Sequence, residues 1–305
     1  MSMRYPSGFI SAFYNPLENP NAPTIGTATA GFSSLSITFT APANVGGSAI
    51  TGYVAVAKRT SDGVTFTGSG ASSPITVSGL TAVAFTVTVF AINSYGPSAL
   101  SAASNSVTPI PAIGAAYEGG FFAGQIGTSS VASHNLVVGP LSTAESTLKW
   151  KDAGTATPGA DSDIDGPQNT ADMVADGNST VYPCAHFCNN LSTGGQTDWY
   201  MPAKNELEVC YFNLKPTTTS NDTSSGINAN AVPARASNYT AGNPAQTSAA
   251  AFQTGGAEAF AADGYWSSTE ASASTARLQF FSYGPQVTRG KPDVYRVRAI
   301  RRVAV

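Results

Sequence analysis

Gly264-Tyr-Trp-Ser-Ser-Thr-Glu270 decides how the C-terminal half of this chain folds. Its aromatic and hydroxyl-bearing residues predict a β-strand. Two further strands are predicted downstream, over residues 277–281 and over Tyr295-Arg-Val-Arg-Ala-Ile-Arg-Arg-Val303. Upstream, Thr197-Asp-Trp-Tyr-Met-Pro-Ala-Lys-Asn-Glu-Leu207 leads into a helix that Pro202 opens, since proline suits the first helical position. This half of the chain therefore combines helices with a strand-rich end.

A second helix is predicted to begin at Pro183, and Pro216 ends the one that follows it. The apolar positions of both recur at helical spacing: Cys184, Phe187, Cys188 and Leu191, then Leu207, Cys210, Tyr211 and Leu214. All three cysteines lie on these stripes, so we predict unpaired, shielded thiols rather than a disulfide framework. A zinc site at Cys184-Ala-His186-Phe-Cys188 is disfavoured, because His186 points about 200° away from the cysteines on the helix.

These three motifs together resemble the Lcl-like C-terminal domain family. The resemblance implies a C-type-lectin-like α+β fold for residues 115–305 and recognition of a surface rather than turnover of a substrate. The family is common in bacteriophage tail proteins and in some bacterial surface proteins. Several phage members are diversified by retroelements, which mutate solvent-facing codons just upstream of the final Val-Arg-Ala strand.

The N-terminal part of the chain has an all-β pattern over residues 18–110, with alternating strands and turn-rich connections. The pattern resembles a fibronectin type III β-sandwich, which implies a spacer domain. Phe39 stands where the family usually has Trp, and Phe85 stands where it usually has a corner Tyr. The linker Thr108-Pro-Ile-Pro-Ala112 is stiffened by proline. The predicted fold class is thus mainly β, with an α+β C-terminal domain.

Residues 1–17 form an aromatic arm with neither helical nor strand period. Two interpretations stay open: a disordered leader, or a segment that docks on a neighbouring subunit, because five large apolar side chains are costly to leave in water. Pro6, Gly8 and Ser11 interrupt its apolar run, so the pattern is not that of a signal peptide. Release with a virion is favoured over export.

Composition excludes several classes of function. The 305 residues are enough for two domains, and only 11% of them are charged, with a net charge of −3. Nucleic-acid binding therefore has no electrostatic support. No stretch approaches 18 consecutive apolar residues, so no membrane span is predicted.

An aspartate-rich segment, Asp161-Ser-Asp-Ile-Asp-Gly166, matches the opening spacing of a calcium-binding loop. In that interpretation Asp161, Asp163 and Asp165 would hold a structural Ca²⁺. Pro167 and the absence of a readable flanking helix favour the other interpretation, a solvated polar turn. No other cofactor is expected.

Catalytic residues are scarce. The chain has two histidines, His134 and His186, and no nucleophile in a recognisable context. Four glutamates could in principle form a glycosidase pair, although nothing in the sequence places any two together: Glu145, Glu206, Glu258 and Glu270. We therefore expect a protein that is not an enzyme.

The region upstream of the final strand is the predicted recognition surface, since retroelement-diversified relatives vary there. Its predicted exposed members are Arg277, Gln279, Tyr283, Val287, Thr288, Arg289, Lys291, Asp293 and Arg296. Six of the 15 basic residues fall in the last seventeen positions, which suggests an anionic polysaccharide as one ligand. We expect Arg298 to be structural instead, paired with Glu206 or Glu270.

The resemblance therefore implies a bacteriophage tail-fibre or tail-tip protein that binds a glycan or protein receptor on the host surface. Expected partners are other tail proteins, through the arm, and copies of the same chain, with a trimer favoured. The alternative is a structural virion component, such as a decoration or neck protein. A bacterial surface adhesin is the third interpretation.

Overall fold

The computed structural model describes residues 17–305, and the predicted arm lies outside them apart from Leu17. Contacts divide the chain into a first unit that ends at Ala112 and a second unit, Ile113–Val305. Among the described residues, no helix is long and apolar enough to cross a membrane.

The described part of the first unit, residues 17–112, contains seven strands in two sheets. The strands are β1 (Thr24–Gly31), β2 (Ser34–Thr40), β3 (Gly52–Arg59), β4 (Thr65–Gly70), β5 (Ile75–Ser78), β6 (Phe85–Asn93) and β7 (Gly96–Pro97). One sheet has the order β1-β2-β5 and the other β4-β3-β6-β7. Strict alternation along β6 buries Phe85, Val87, Val89 and Ala91 in the single core of this unit. Phe39 packs beside Tyr53 there, with ring centroids 4.7 Å apart.

The last segment of this unit pairs with β6 through a serine at every third residue. The hydroxyls of Ser98, Ser101 and Ser104 accept hydrogen bonds from the backbone of β6 at 2.9–3.0 Å. Their own amides donate back to β6 carbonyls at 2.8 Å. Side-chain oxygens thus take the place of backbone acceptors along this edge.

The second unit contains nine strands, four α-helices and a short 3₁₀ turn at Ala250–Phe252. Its strands are β8 (Ala116–Tyr117), β9 (Gly120–Thr128), β10 (Val131–Val138), β11 (Glu145–Lys149), β12 (Gly264–Ser272), β13 (Thr275–Phe280), β14 (Gln286–Gly290), β15 (Val294–Arg298) and β16 (Ile300–Ala304). Its helices are α1 (Leu141–Ala144), α2 (Gly166–Asp176), α3 (Pro183–Asn189) and α4 (Lys204–Leu214). One sheet has the order β16-β10-β9-β8, and the other has the order β11-β15-β12-β13-β14.

The predicted C-terminal strand is in fact two strands in different sheets. β15 pairs with β11, whereas β16 pairs with β10. The chain passes from one sheet to the other at Ala299, whose amide donates to Ala144 O at 2.9 Å and whose carbonyl accepts from Gly139 N at 3.0 Å. The prediction of one continuous strand over residues 295–303 was therefore wrong.

Both predicted helices are present, as α3 and α4. The four-residue α1 was not predicted, and one longer helix was missed. α3 begins at Pro183, and α4 begins two residues after Pro202. The missed helix is α2, which follows the aspartate-rich segment directly. Asp165 caps it by accepting from Gln168 N at 3.3 Å, and Pro167 occupies its first turn. The residues that resemble a calcium loop are therefore a helix start.

Two apolar clusters fill the second unit, one on each side of the five-stranded sheet. Tyr265 belongs to the first cluster, and its neighbour Trp266 belongs to the second, as strand alternation requires. Trp150 and Trp199 are also buried in the second cluster. All three tryptophans of the chain are therefore core residues of this unit.

The long connection from α4 to β12, which pattern alone could not assign, is held by a buried lysine. Lys215 Nζ donates to Thr219 O at 2.6 Å, to Asn221 Oδ1 at 2.7 Å and to Pro244 O at 3.2 Å. One ammonium group thus ties together three points of an irregular segment. Burial lowers the pKa of Lys215.

The three cysteines give a direct test of the helix packing. All are unpaired and fully buried, and burial raises the pKa of each thiol. Since the thiolate is the reactive form, native protein should react with a thiol probe only very slowly. Urea-denatured protein should react at all three cysteines. Rapid labelling of native protein, followed by absorbance, would contradict the packing of α3 and α4.

Candidate functional site

The predicted recognition residues lie on and around β13 and β14, at one edge of the five-stranded sheet, and on β15, which lies next to β11 near the other edge. The strand register divides them between its two faces. Arg277 lies opposite Thr288, whereas Arg289 lies opposite Ala276 and Val287 opposite Leu278. Because side chains alternate along a strand, Arg277 and Arg289 point to opposite faces. The nine residues therefore do not form one surface.

Two of the nine predicted residues are buried, which corrects the sequence prediction. Gln279 is 1% exposed, because the α4–β12 connection covers it and its amide donates to Tyr239 Oη at 3.2 Å. Lys291 is fully buried beside the ring of Trp150, and its Nζ lies 3.0 Å from Glu270 and 2.7 Å from Thr155 O. Burial lowers the pKa of Lys291, and Glu270 opposes that effect.

The remaining residues differ in exposure. Thr288 and Asp293 are exposed, and Arg277, Val287 and Arg296 are half-buried. Arg277 Nε is shielded and has no hydrogen-bond acceptor. Asp293 lies in the turn between β14 and β15, where its amide donates to Gly290 O at 2.9 Å.

Four partly exposed side chains, Phe280, Tyr283, Arg289 and Tyr295, form a cluster that we call the aromatic platform. Phe280 and Tyr283 are nearly parallel, with centroids 6.1 Å apart at an interplanar angle of 23°. The Arg289 guanidinium lies 5.6 Å above the Phe280 ring, and its Nε donates to Tyr295 Oη at 3.2 Å. Tyr283 is 41% exposed and is the outermost ring.

The aromatic platform packs against a residue of the core. Tyr295 meets buried Trp266 edge to face at 5.4 Å, and Phe280 meets Tyr295 in the same way at 6.3 Å. Edge-to-face pairs of this kind add about 0.5–1.5 kcal/mol to the area that they bury. The rings therefore have fixed positions before any ligand arrives.

Five of the six clustered basic residues have carboxylate partners. The ion pairs are Lys291–Glu270 (3.0 Å), Arg296–Glu145 (2.6 Å), Arg298–Glu258 (2.7 Å), Arg301–Asp198 (2.7 Å) and Arg302–Glu206 (2.7 Å). Within residues 17–305, Arg289 is the member of this group without an ion-pair partner. Carboxylates therefore neutralise most of the positive charge that is clustered near the end of the sequence. Within the described residues, the surface predicted to bind an anionic polysaccharide is left with one guanidinium without an ion-pair partner, that of Arg289.

The same pairs account for the four glutamates considered for catalysis. Each of the four carboxylates is held by a different basic residue. Arg298 is structural, as predicted, but its partner is Glu258 and not Glu206 or Glu270. The sequence could not identify the partner, because 40 residues separate the two.

The aspartates of the predicted calcium loop point to different partners. Asp163 pairs with Lys204 at 2.8 Å, and Asp165 caps α2 and lies 3.7 Å from Arg302. Within the described part of the chain, no group of three or more His, Cys, Asp or Glu side chains is arranged to hold a metal ion. The residues do not fit calcium coordination, and the helix-start interpretation replaces it.

The two histidines make different contacts in the described structure. His186 Nε2 lies 2.7 Å from Gly177 O, which fixes the loop after α2. His134 is next to Ser133 on β10, and burial lowers its pKa, with a further contribution from Arg302. β10 has a register shift at Ser133, so its hydroxyl reaches His134 Nδ1 at 3.0 Å and also donates to Ile126 O of β9 at 3.2 Å.

Arg296 lies in a separate pocket of about 460 Å³, formed by residues 141–145, 254–262 and β15. Its guanidinium Nη1 contacts Glu145, and its Nε lies 3.4 Å from Asp263. No sequence pattern indicates this pocket, because its lining comes from three segments distant in the chain, one of which, residues 254–262, is rich in alanine and glycine.

Comparison with protein-family models finds no match, and no curated protein matches the chain. Solved structures are similar to part of it. A structure of titin kinase and its flanking domains is 25% identical over 30% of this chain and 17% of that chain, with a TM-score of 0.28. Titin module A71 from human cardiac muscle is 26% identical over 30% of this chain and 91% of that chain, with a TM-score of 0.26. The fourth fibronectin type III domain of a human protein is 25% identical over 37% of this chain and 96% of that chain, with a TM-score of 0.29.

This chain thus spans well under two thirds of the titin kinase structure. The fold of the first unit follows from its own strand order, three strands packed on four around one core. It is a fibronectin type III-like β-sandwich, and the chain as a whole is mainly β.

Proposed function

We propose that this chain is a bacteriophage tail-fibre or tail-tip protein whose second unit binds a receptor on the host surface without catalysis. The observation that carries the proposal is the aromatic platform, where Arg289, without an ion-pair partner among residues 17–305, lies beside exposed Tyr283. Binding sites that give affinity without chemistry commonly combine aromatic anchors with a guanidinium.

A C-type-lectin-like fold for the second unit is part of this proposal. The motif residues that carry the resemblance, Trp266 and Arg298, are fully buried at its centre. The C-terminal strand β16 returns to pair with β10 near the beginning of the unit, and the helices precede the strand-rich half. Because β16 pairs with β10 in the other sheet, the β13–β14 hairpin lies at the edge of the five-stranded sheet. We expect the exposed residues of this hairpin to tolerate substitution.

A rigid platform suits recognition for a physical reason. Side chains that are already fixed lose little rotamer entropy when a ligand binds. Tyr283 offers a flat ring for a sugar or an apolar side chain, and Arg289 offers donors to an adjacent oxygen. The receptor would accordingly be a glycan or a protein of the host envelope.

The rest of the chain fits a virion role. The fibronectin type III-like unit would act as a spacer, and the aromatic arm would dock on other tail proteins or on copies of the chain, with a trimer favoured. The same sequence features are compatible with a decoration or neck protein, in which the second unit would contact virion proteins instead.

The double variant Tyr283→Ala, Arg289→Ala tests the platform. Both side chains are partly exposed, and surface changes usually cost less than about 0.5 kcal/mol, so the protein should keep its melting temperature. Binding of the purified full chain to host envelopes, measured by sedimentation, should fall at least about tenfold, equivalent to about 1.4 kcal/mol. Lys291 stays unchanged, because it is buried.

The matched control is Lys58→Ala, Tyr95→Ala in the first unit, where both side chains are exposed. It removes one tyrosine ring and one positive charge, as the platform variant does, and should leave binding unchanged. Equal binding by the folded platform variant and the wild type would defeat the platform as the receptor site. If that variant still assembles into virions, the structural alternative would replace it.

A further inference from the structure

The pocket beside Arg296 is built from small side chains held in a fixed frame. Ala259, Ala261 and Gly255 line it, and a Cβ built on Gly255 would meet no atom within 4 Å. Its volume of about 460 Å³ lies within the range of about 300–1,000 Å³ that is usual for small-molecule sites.

Two buried braces fix the pocket walls. Arg298 donates to Gly139 O at 2.9 Å and to Glu258 Oε2 at 2.7 Å, and that carboxylate accepts from Leu141 N at 2.7 Å. Tyr265 Oη donates to Glu145 Oε2 at 2.8 Å and accepts from Ala261 N at 2.8 Å. The loop over residues 254–262 is thereby tied to β11 and β15.

The pocket has a hydrogen-bond donor, the Arg296 guanidinium, next to an acceptor, the Glu145 carboxylate. Arg296 Nη1 lies 2.6 Å from Glu145 Oε1, and the guanidinium is 34% exposed. Each hydroxyl of a vicinal diol can both donate and accept, so two adjacent hydroxyls match this pair without breaking it. Leu141 and Phe260 supply the apolar wall against which the C–H face of a ring would pack.

Charge disfavours other ligands. Glu145 and Asp263 outnumber Arg296 at the mouth, which opposes an anion. A zwitterionic amino acid would have to separate the Arg296–Glu145 ion pair. Glu145 is only 6% exposed, so exchanging its partner there is energetically costly. A neutral polyol requires neither change.

We infer that this pocket binds one neutral pyranose ring through a vicinal diol. The site is separate from the aromatic platform, because Tyr295 and Arg296 are neighbours on β15 that point to opposite faces, and the other platform residues lie on β13, in the turn after it and on β14. The inference about this pocket does not depend on the proposed receptor surface.

The probes are the methyl glycosides of glucose, galactose, mannose and N-acetylglucosamine, followed by saturation-transfer NMR with the full-length protein. At least one should bind, in the millimolar range typical of a single ring. Ala262→Trp places an indole in the mouth and should weaken binding at least about tenfold. Ala257→Trp, on the same loop but outside the lining, should leave binding unchanged.

Two further variants separate the possible outcomes. Arg296→Gln should weaken the binding of the glycoside, and Tyr283→Ala, Arg289→Ala should not. Binding of no glycoside, binding that persists in folded Ala262→Trp, or binding of glycine and alanine in place of the glycosides would each overturn the assignment. Loss in the platform variant alone would move the sugar to the platform.

Discussion

Replacing Arg298 with methionine is expected to lower the free energy of unfolding of the second unit by about 3–5 kcal/mol, because it breaks a buried ion pair. The Arg298 side chain is fully buried. Its loss removes the partner of Glu258 and leaves two carbonyls, Gly139 O and Glu258 O, without a donor. Methionine keeps the apolar part of the contact with Phe260, so the loss reports on the polar groups.

Tryptophan fluorescence during urea unfolding measures this change in one unit alone. All three tryptophans of the chain, Trp150, Trp199 and Trp266, lie in the second unit. Arg289→Met is the matched control, and its midpoint should move by less than about 0.5 kcal/mol equivalent, because the side chain is partly exposed. Equal midpoints for the two methionine variants would contradict the structural role of Arg298.

Truncation of Trp266 to alanine should cost about 3–5 kcal/mol as well, through lost burial and the cavity that remains. The indole is fully buried, its Nε1 donates to Leu148 O at 3.3 Å, and Tyr295 packs on its edge. Because Tyr295 belongs to the aromatic platform, the same truncation should also loosen Arg289.

Trp266→Phe fills part of the cavity and should lose less stability than the alanine variant. If the alanine variant fails to fold, the phenylalanine variant still gives a measurable midpoint from Trp150 and Trp199. Thermal unfolding followed by fluorescence is the readout. A Trp266→Ala protein that melts like the wild type would mean that β12 does not pass through the core.

Much of the second unit could be predicted, because the signals were local. Pro183 and the apolar spacing after it define α3, and strand alternation places Trp266 inside. The missed helix α2 also had a local signal, an aspartate cap followed by proline. The sequence analysis assigned the same residues to a solvated polar turn, with a calcium loop as the alternative, and so did not extend the helix over them.

The candidate site could be predicted only as a region. Which face Arg277 and Arg289 occupy depends on the register of β13 against β14, and a shift of one residue reverses it. The burial of Lys291 depends on Glu270 and Thr155, which lie far away in sequence. Ion pairs between residues far apart in the sequence leave no periodic pattern, so the sequence alone could not indicate them. The five basic residues that suggested a binding surface are largely structural because they take part in such pairs.

Competition for host adsorption tests receptor binding most directly. Purified full-length protein, added in excess to host cells before the phage that carries it, should reduce the fraction of virions adsorbed. The folded Tyr283→Ala, Arg289→Ala variant should compete at least about tenfold less well. Wild-type protein that is present in the virion but leaves phage adsorption unchanged at every concentration would contradict the receptor-binding account.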